Sequence, residues 1–262
     1  MSDPTTFLFV PGDRPERFDK AVAAGADLVV LDLEDAVPAG AKDAARGHVV
    51  DWLAKGGPAA VRINTGELGA ADAEALSDLP VTVMVPKAED PAALVEVRAA
   101  LHPGSRLLAL VETARGIVRA TEIADVDGVD RLVLGTFDLA AQLGVSPDDR
   151  EAMAGARHTL VIASAAAGLA PPIDGVTGDV TDPAVLADDV AHAVRLGFGG
   201  KLCIHPRQVP TARAAFLPSP EEVAWARRVV EADERSGGGA ALLDGAMVDA
   251  PVVARARRIL DR

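Results

Sequence analysis

The sequence predicts an α/β protein, a (β/α)8 TIM barrel with a C-terminal helical extension, on three observations. Short apolar, β-branched runs alternate with amphipathic, Ala-rich segments almost from end to end. The runs are near-continuously apolar, as expected of parallel strands buried on both faces. Eight such units fit within 262 residues, a length that suits one closed barrel better than an open sheet. A doubly wound sheet is the alternative architecture, but no GxGxxG or Walker loop follows the first strand run to support nucleotide binding.

The first strand run is TFLFV (6–10), followed by the helical pattern RPERFDKAVAAGA. ADLVVLDL (26–33) leads into AKDAARGHVVDWLAKG, and AAVRI (59–63) and VTVMVP (81–86) supply the third and fourth strands. PAALVEVRAAL (91–101) is the helix before RLLALVE (106–112), and RLVLGT (131–136) precedes the long helix REAMAGARHTLVIASAAAG. GLAPPIDGV (168–176) and GGKLCIH (199–205) complete the eight. Ser219 ahead of Pro220 and Glu221–Glu222 marks a helix start. Residues 1–218 are therefore expected to form the barrel, and 219–262 a helical extension or lid. Ser236–Gly239 is the expected hinge, and the last residues, 252–262, a short terminal helix.

Composition limits what such a barrel can do. With 49% hydrophobic residues, 3% aromatics and no Tyr, the core must be aliphatic, leaving little to stack on nucleobases. A formal net charge of −13 argues against nonspecific nucleic-acid or anionic-membrane binding, both of which need a basic footprint. An anionic substrate would have to be held by local positive groups. The single cysteine, Cys203, excludes an internal disulfide and a Cys-rich metal site, and between apolar neighbours it reads as a buried structural thiol. The start MSDPTT has no basic and apolar leader, and no run reaches membrane-spanning length, so a soluble, cytoplasmic protein is expected.

The strand ends carry the polar residues: PGDR, DLEDAV, RIN, PKAED, VETARG, GTFDL, DGVTGD and HPRQ. In a (β/α)8 barrel these ends converge on one mouth, where such enzymes do their chemistry. Glu112 ends the fifth strand and Asp138 follows the sixth, so the two can share a divalent ion; Mg2+ typically takes one or two protein carboxylates and keeps waters. The competing reading pairs Glu112 with Arg115 and makes Asp138 a helix cap. Asp32, Glu34 and Asp35 crowd the end of the second strand. A helix N-cap is one reading; the other makes Glu34 and Asp35 acceptors for the waters of that ion, with Asp32 a deeper structural acid. Arg62 sits inside an apolar strand, where its planar fork suits a carboxylate or a developing enolate oxygen; the alternative is an ion pair with Glu34. Lys87 is open to a Schiff-base role or, preferred here, to pairing with Glu112 or Glu34. His205, followed by Pro206, reads as a hydrogen-bonding packer. His48, His102, His158 and His192 are expected to be exposed, and no His pair has zinc spacing.

Taken together, FLFVPGDRPERFDKA, ADLVVLDLEDAVPAGAKDAAR, VRIN, VPKAED, LVETARG, GTFDLAAQLG, GFGGKLCIHPRQV and GAMVDAPVVARA occur in an order that resembles the citrate lyase β-subunit-like branch of the HpcH/HpaI aldolase family. The resemblance implies a Mg2+-dependent lyase that cleaves or forms a β-hydroxyacyl-CoA thioester, giving an acyl-CoA and a keto acid. It implies Glu112 and Asp138 as metal ligands, and Arg62, Glu112, Gly135 and Thr136 as substrate-binding residues. Glu34, Asp35 and Lys87 then surround the ion. Asp249 in MVDAP matches a family acid that a neighbouring subunit's C-terminal segment brings over the mouth, so a homo-oligomer, a trimer, is expected. The plain alternative for Asp249 is an N-cap ahead of Pro251. One departure is TT before FLFVPG, where the family often has RS. Malyl-, citramalyl-, citryl- and hydroxymethylglutaryl-CoA all remain open as substrates. An acyl-carrier-protein-binding subunit active only in a complex, or an aldolase on free keto acids, are the rival readings.

Overall fold

In the computed structural model, which describes residues 3–236, 239 and 241–260, eight parallel strands close into a barrel in chain order. They are β1 (Thr6–Pro11), β2 (Leu28–Asp32), β3 (Ala59–Arg62), β4 (Thr82–Val85), β5 (Arg106–Val111), β6 (Val129–Leu134), β7 (Ile173–Asp174) and β8 (Gly200–Cys203). Closure is made by β1 against β8, with Phe7 opposite Leu202. The outer helices are α1 (Phe18–Ala23), α2 (Lys42–Ala54), α3 (Gly66–Ala75), α4 (Pro91–Ala100), α5 (Ala114–Val118), α6 (Ala120–Ala124), α7 (Thr136–Leu143), α8 (Arg150–Ala166) and α9 (Pro183–Leu196). The helix α10 (Gln208–Phe216) follows β8. The interior is aliphatic, as the composition demands: Val30, Ala60, Met84, Leu108, Val133 and Ile173 meet inside the ring with Phe7. Each fully buried Val or Leu there contributes about 1.5–3 kcal/mol.

The helices start where side chains satisfy free amides. Asp90, Thr113, Asp149 and Asp182 accept from first-turn N–H groups of α4, α5, α8 and α9. The helices α7 and α9 stop at Gly144 and Gly197, both with positive φ (71° and 105°), a conformation that costs glycine nothing. At the far end of the barrel, Arg131 donates to the carbonyls of Pro4 (2.6 Å) and Pro171 (2.8 Å) and lies over the Phe7 ring.

The expected seventh strand shrinks to two residues because Pro171 and Pro172 have no N–H for the ladder; only Ile173 and Asp174 pair. Two of the histidines expected to be exposed, His102 and His192, are half-buried, since the first folds back to accept from Gly104 N and the second sits among Arg150, Arg157 and Arg195.

The described chain divides into two compact units, Asp3–Arg213 and the segment from Ala214 onward. The second unit holds the expected helical extension and adds a hairpin to it. Between α11 (Pro220–Ser236) and α12 (Ala250–Leu260) lies an antiparallel hairpin, β9 (Ala241–Leu243) with β10 (Ala246–Val248). Asp244 (φ 53°) and Gly245 (φ 81°) turn it, and Asp-Gly between apolar pairs is the strongest short hairpin signal. Ser219 and Glu222 form the expected reciprocal cap on α11 (2.9 and 3.1 Å). Val229, Val248, Val253 and Ala256 make this unit's own core. Of the expected hinge, residues 237 and 238 lie outside the described residues, as do 261 and 262 of the terminal helix.

Candidate active site

The C-terminal ends of the strands open on a cavity of about 410 Å3. Its charged residues come from the ends of β2, β3 and β5 and from the first turn of α7 after β6. Asp32, at the last position of β2, is 1% exposed and accepts four hydrogen bonds, from Glu34 N (2.9 Å), Ala36 N (3.1 Å), Arg62 Nε (2.7 Å) and Arg62 Nη2 (2.6 Å). The guanidinium fork of Arg62 is therefore fixed on Asp32, and only Nη1 is left facing Glu34 (3.1 Å) and Asp35 (3.5 Å). Burial works against the Arg62 charge, but Asp32, Glu34 and Asp35 outweigh it and hold the group cationic. The Arg62 fork also lies over the Phe9 ring, 4.9 Å from its centroid.

Lys87 joins the acids of β2 to Glu112. Its ammonium donates to Glu34 Oε1 at 2.6 Å and lies 3.8 Å from Asp138, while its backbone N–H donates to Glu112 Oε1 at 2.9 Å. To do both, Lys87 takes a left-handed backbone (φ 49°), which a non-glycine residue adopts only where its surroundings enforce it. The crowding of Glu34 and Asp35 thus has two protein cations, Arg62 and Lys87, among the acids. Lys42 adds a third contact that the sequence did not disclose: its ammonium donates to the Leu33 carbonyl (2.7 Å) and to that of Glu34, tying down the acidic turn.

Glu112 ends β5 and is 5% exposed. Burial pushes its carboxyl up to about 7; the Lys87 amide opposes that rise, and the charges of Glu34 and Asp138 add to it. Burial likewise raises Glu34 above the usual carboxylate range, against the pull of Lys87 and Arg62. Thr136 Oγ1 is buried without a hydrogen-bond partner, whereas Glu34 Oε2 makes no well-directed hydrogen bond but lies 3.1 Å from Arg62 Nη1. Neither structural alternative for the two proposed ligands describes them: Glu112 binds the Lys87 amide rather than Arg115, and the cap position of α7 is Gly135, not Asp138. Gly135 has to be glycine, because a Cβ would collide with the Glu112 side chain; Gly175 likewise leaves room for Thr136. Asp249 is exposed and lies in the C-terminal unit, where Oδ1 accepts from Val252 N (3.3 Å) at the start of α12. His205 Nδ1 accepts from Arg207 N (3.1 Å), and burial pushes the Cys203 thiol up to about 12, leaving it inert at neutral pH.

The donor set fits a hard divalent cation. A buried hydroxyl oxygen without a partner, a carboxyl raised by burial and further by neighbouring negative charge, and an exposed second carboxylate beside it are what a cation would relieve. Among the described residues no three His, Cys, Asp or Glu side chains converge into an all-protein cage.

The closed (β/α)8 barrel gathers acids around a fixed arginine and lysine at its strand ends, where enzymes of this fold do their chemistry, and its family makes it a carbon–carbon lyase. The chain belongs to the HpcH/HpaI aldolase/citrate lyase family, whose model matches residues 5–206. It is 43% identical over 265 residues to the citrate lyase subunit beta-like protein of Mycobacterium tuberculosis, covering 98% of this chain and 94% of that one. Its fold superimposes with a TM-score of 0.85 on the crystal structure of protein CitE from M. tuberculosis in complex with magnesium, acetoacetate and coenzyme A, at 41% identity over 99% of this chain and 98% of that one. A citrate lyase beta subunit from M. tuberculosis complexed with oxaloacetate and magnesium matches at 39% identity, TM-score 0.74, over 83% of this chain and 98% of that one. Among the described residues no helix is long and apolar enough to cross a membrane.

Proposed function

We propose that this chain is a cytoplasmic Mg2+-dependent lyase that cleaves or forms a β-hydroxyacyl-CoA thioester, giving an acyl-CoA and a keto acid. One observation supports it above the others: Glu112 is buried at the mouth beside Glu34 and Asp138, with its carboxyl pushed up to about 7. The magnesium, keto acids and coenzyme A held by the M. tuberculosis relatives support the same chemistry here.

Glu112 and Asp138 would hold the ion, with Glu34 and Asp35 bordering it. A bound Mg2+ supplies Lewis acidity to substrate oxygens. The bond that breaks joins the hydroxyl-bearing carbon to the carbon next to the thioester carbonyl. The hydroxyl proton departs, a carbonyl forms, and the electron pair passes to the carbon next to the thioester carbonyl, which becomes the enolate carbon. That carbon then takes a proton, so atoms and charge balance with no oxidant or reductant. Arg62 Nη1, the guanidinium nitrogen not fixed on Asp32, donates to the enolate oxygen. The first-turn amides of α7, at Thr136 and its neighbours, have no partner within the helix and orient a substrate carboxylate. Gly135 and Thr136 bound that seat.

Asp249 moves the proton at the enolate carbon, delivered from a second copy in a closed homotrimer. The exposed pair Leu242 (79%) and Met247 (65%), facing each other across the hairpin, gives the C-terminal unit apolar surface to bury against such a copy. The test is the purified chain with Mg2+ and a panel of malyl-, citramalyl-, citryl- and hydroxymethylglutaryl-CoA. Cleavage of at least one, abolished by a chelator and restored by Mg2+, is expected; no cleavage of any rejects a lyase that acts alone on CoA thioesters.

A further inference from the structure

Two loops of the mouth are held together by a side chain that does not line the cavity. The strands β7 and β8 pair at only two positions, Ile173 with Gly200 and Asp174 with Lys201. Among the described residues no further ladder pair joins them. Yet Val176, just after β7, and Ile204, just after β8, both line the cavity. Their backbones need another source of order.

Gln208, the first residue of α10, supplies it. Its side chain is buried, with the residue 3% exposed. Its Oε1 accepts from the amides of Ile204 (2.8 Å) and His205 (3.2 Å). Its Nε2 donates to the carbonyls of Thr177 (2.9 Å) and Asp179 (3.2 Å). A primary amide has two lone pairs on oxygen and two N–H hydrogens, and here all four are used. The side chain thus acts as a ladder rung between two chains that have stopped pairing. A carboxylate of the same shape would face two carbonyls with no proton to give. An apolar side chain would leave four backbone groups without this partner.

The latch reaches further along the wall of the mouth. Thr177 Oγ1 donates to Asp189 Oδ2 (2.7 Å), which ties the same loop to α9. Gly175, two residues earlier, packs so closely that an added Cβ would lie 2.6 Å from Thr136 Oγ1. A shift of this loop therefore moves Val176 and disturbs Thr136 at the start of α7. Glu112 and Arg62 are held separately, by the Lys87 amide and by Asp32.

Resting on the reading above that this mouth is the substrate site, we infer that Gln208 is a positioning residue for substrate binding. It sets the loops that carry Val176 and Ile204 and, through Gly175, the seat at Thr136. It acts on binding and leaves the bond-breaking groups in place.

Hydrogen exchange, kinetics and calorimetry on the full chain test this together. In the parent, the amides of Ile204 and His205 are expected to be protected at least about a hundredfold, although Ile204 is 43% exposed. Gln208→Met keeps the length and removes all four bonds, so that protection should vanish. Gln208→Glu keeps an acceptor for both amides and loses both donations, so protection should persist. With Mg2+ and a thioester that the parent cleaves, each variant is expected to raise KM at least about tenfold, with kcat within about threefold. Oxaloacetate, which a relative holds, gives the same measure without turnover: its affinity for the Mg2+-loaded chain should fall at least about tenfold in both variants. Should Gln208→Met not fold, Gln208→Glu carries the same expectation. If the parent cleaves no thioester and oxaloacetate still binds more weakly to the variants, the lyase reading fails and the positioning role stands. Unprotected Ile204 and His205 amides in the parent, no binding of oxaloacetate by the parent, a fall in kcat without a rise in KM, or a folded variant with parental KM and oxaloacetate affinity overturns it.

Discussion

Two clusters of buried charge in the barrel are built on opposite terms. In the layer between sheet and helices, Asp174 binds Lys201 (2.8 Å) and Arg157 (3.0 Å), and each carboxylate oxygen has one cation. Burial opposes the Asp174 charge, but Lys201 and Arg157 more than offset it and hold its carboxyl below the usual range. At the mouth, acids outnumber cations, Thr136 Oγ1 lacks a partner, and burial pushes Glu112 up to about 7. The first cluster is complete within the chain. The second is complete only with something added, and this separates a structural network from a site.

Breaking the complete cluster should cost the most stability. Asp174→Ala leaves Lys201 and Arg157 buried without their anion, and is expected to destabilise the fold by about 3–5 kcal/mol, read as a lowered denaturation midpoint. A loss under about 1 kcal/mol would show that water replaces the carboxylate. At the mouth the larger effect falls on rate. Arg62→Lys loses the fork held by Asp32 and is expected to lower kcat/KM by about two to three decades, some 3–4 kcal/mol of transition-state contact, with the fold retained. Activity within about twofold of the parent would make Arg62 purely structural. The smallest effect concerns strain, which the mouth holds at Lys87 (φ 49°). Lys87→Gly and Lys87→Ala both lose the ammonium, so their difference isolates the backbone; Gly is expected to be the more stable by about 1 kcal/mol. Equal melting temperatures would remove strain from the account.

How much of this was legible in the sequence depends on distance along the chain. The strand runs were readable because an apolar period is local, and so were the polar residues at their ends. The failure at β7 was local too, since two prolines inside the run already forbade a long ladder. The Asp244–Gly245 hairpin, set between the two helices of the extension, was equally readable and was not read. Partnerships were different. Arg62 with Asp32 joins residues 30 apart on neighbouring strands; the pairing of Lys87 with Glu34, 53 residues apart across β3, was expected, but the fork of Arg62 on Asp32 was not. Lys201, a lone cation in an apolar run, signalled a buried pair, but Asp174 became its partner only through the pairing of β7 with β8.

Glu112 as the anchor of a divalent cation at the mouth is the reading on which the proposed function stands. Calorimetry of Mg2+ binding across pH tests it most directly. The Glu112 carboxyl sits above the unfolded value of 4.5, at about 7, so in the metal-free chain its contribution to stability is present below about 4.5 and is lost as pH rises through about 7. A cation must displace that proton. Parent protein is therefore expected to bind Mg2+ with proton release below pH 7, and with affinity that weakens as pH falls from about 7.5 to 5.5. Glu112→Gln should bind no Mg2+, yet melt at or above the metal-free parent at pH 8. Mg2+ binding by Glu112→Gln at the parent's affinity, or parental binding that ignores pH across this window, would contradict the claim.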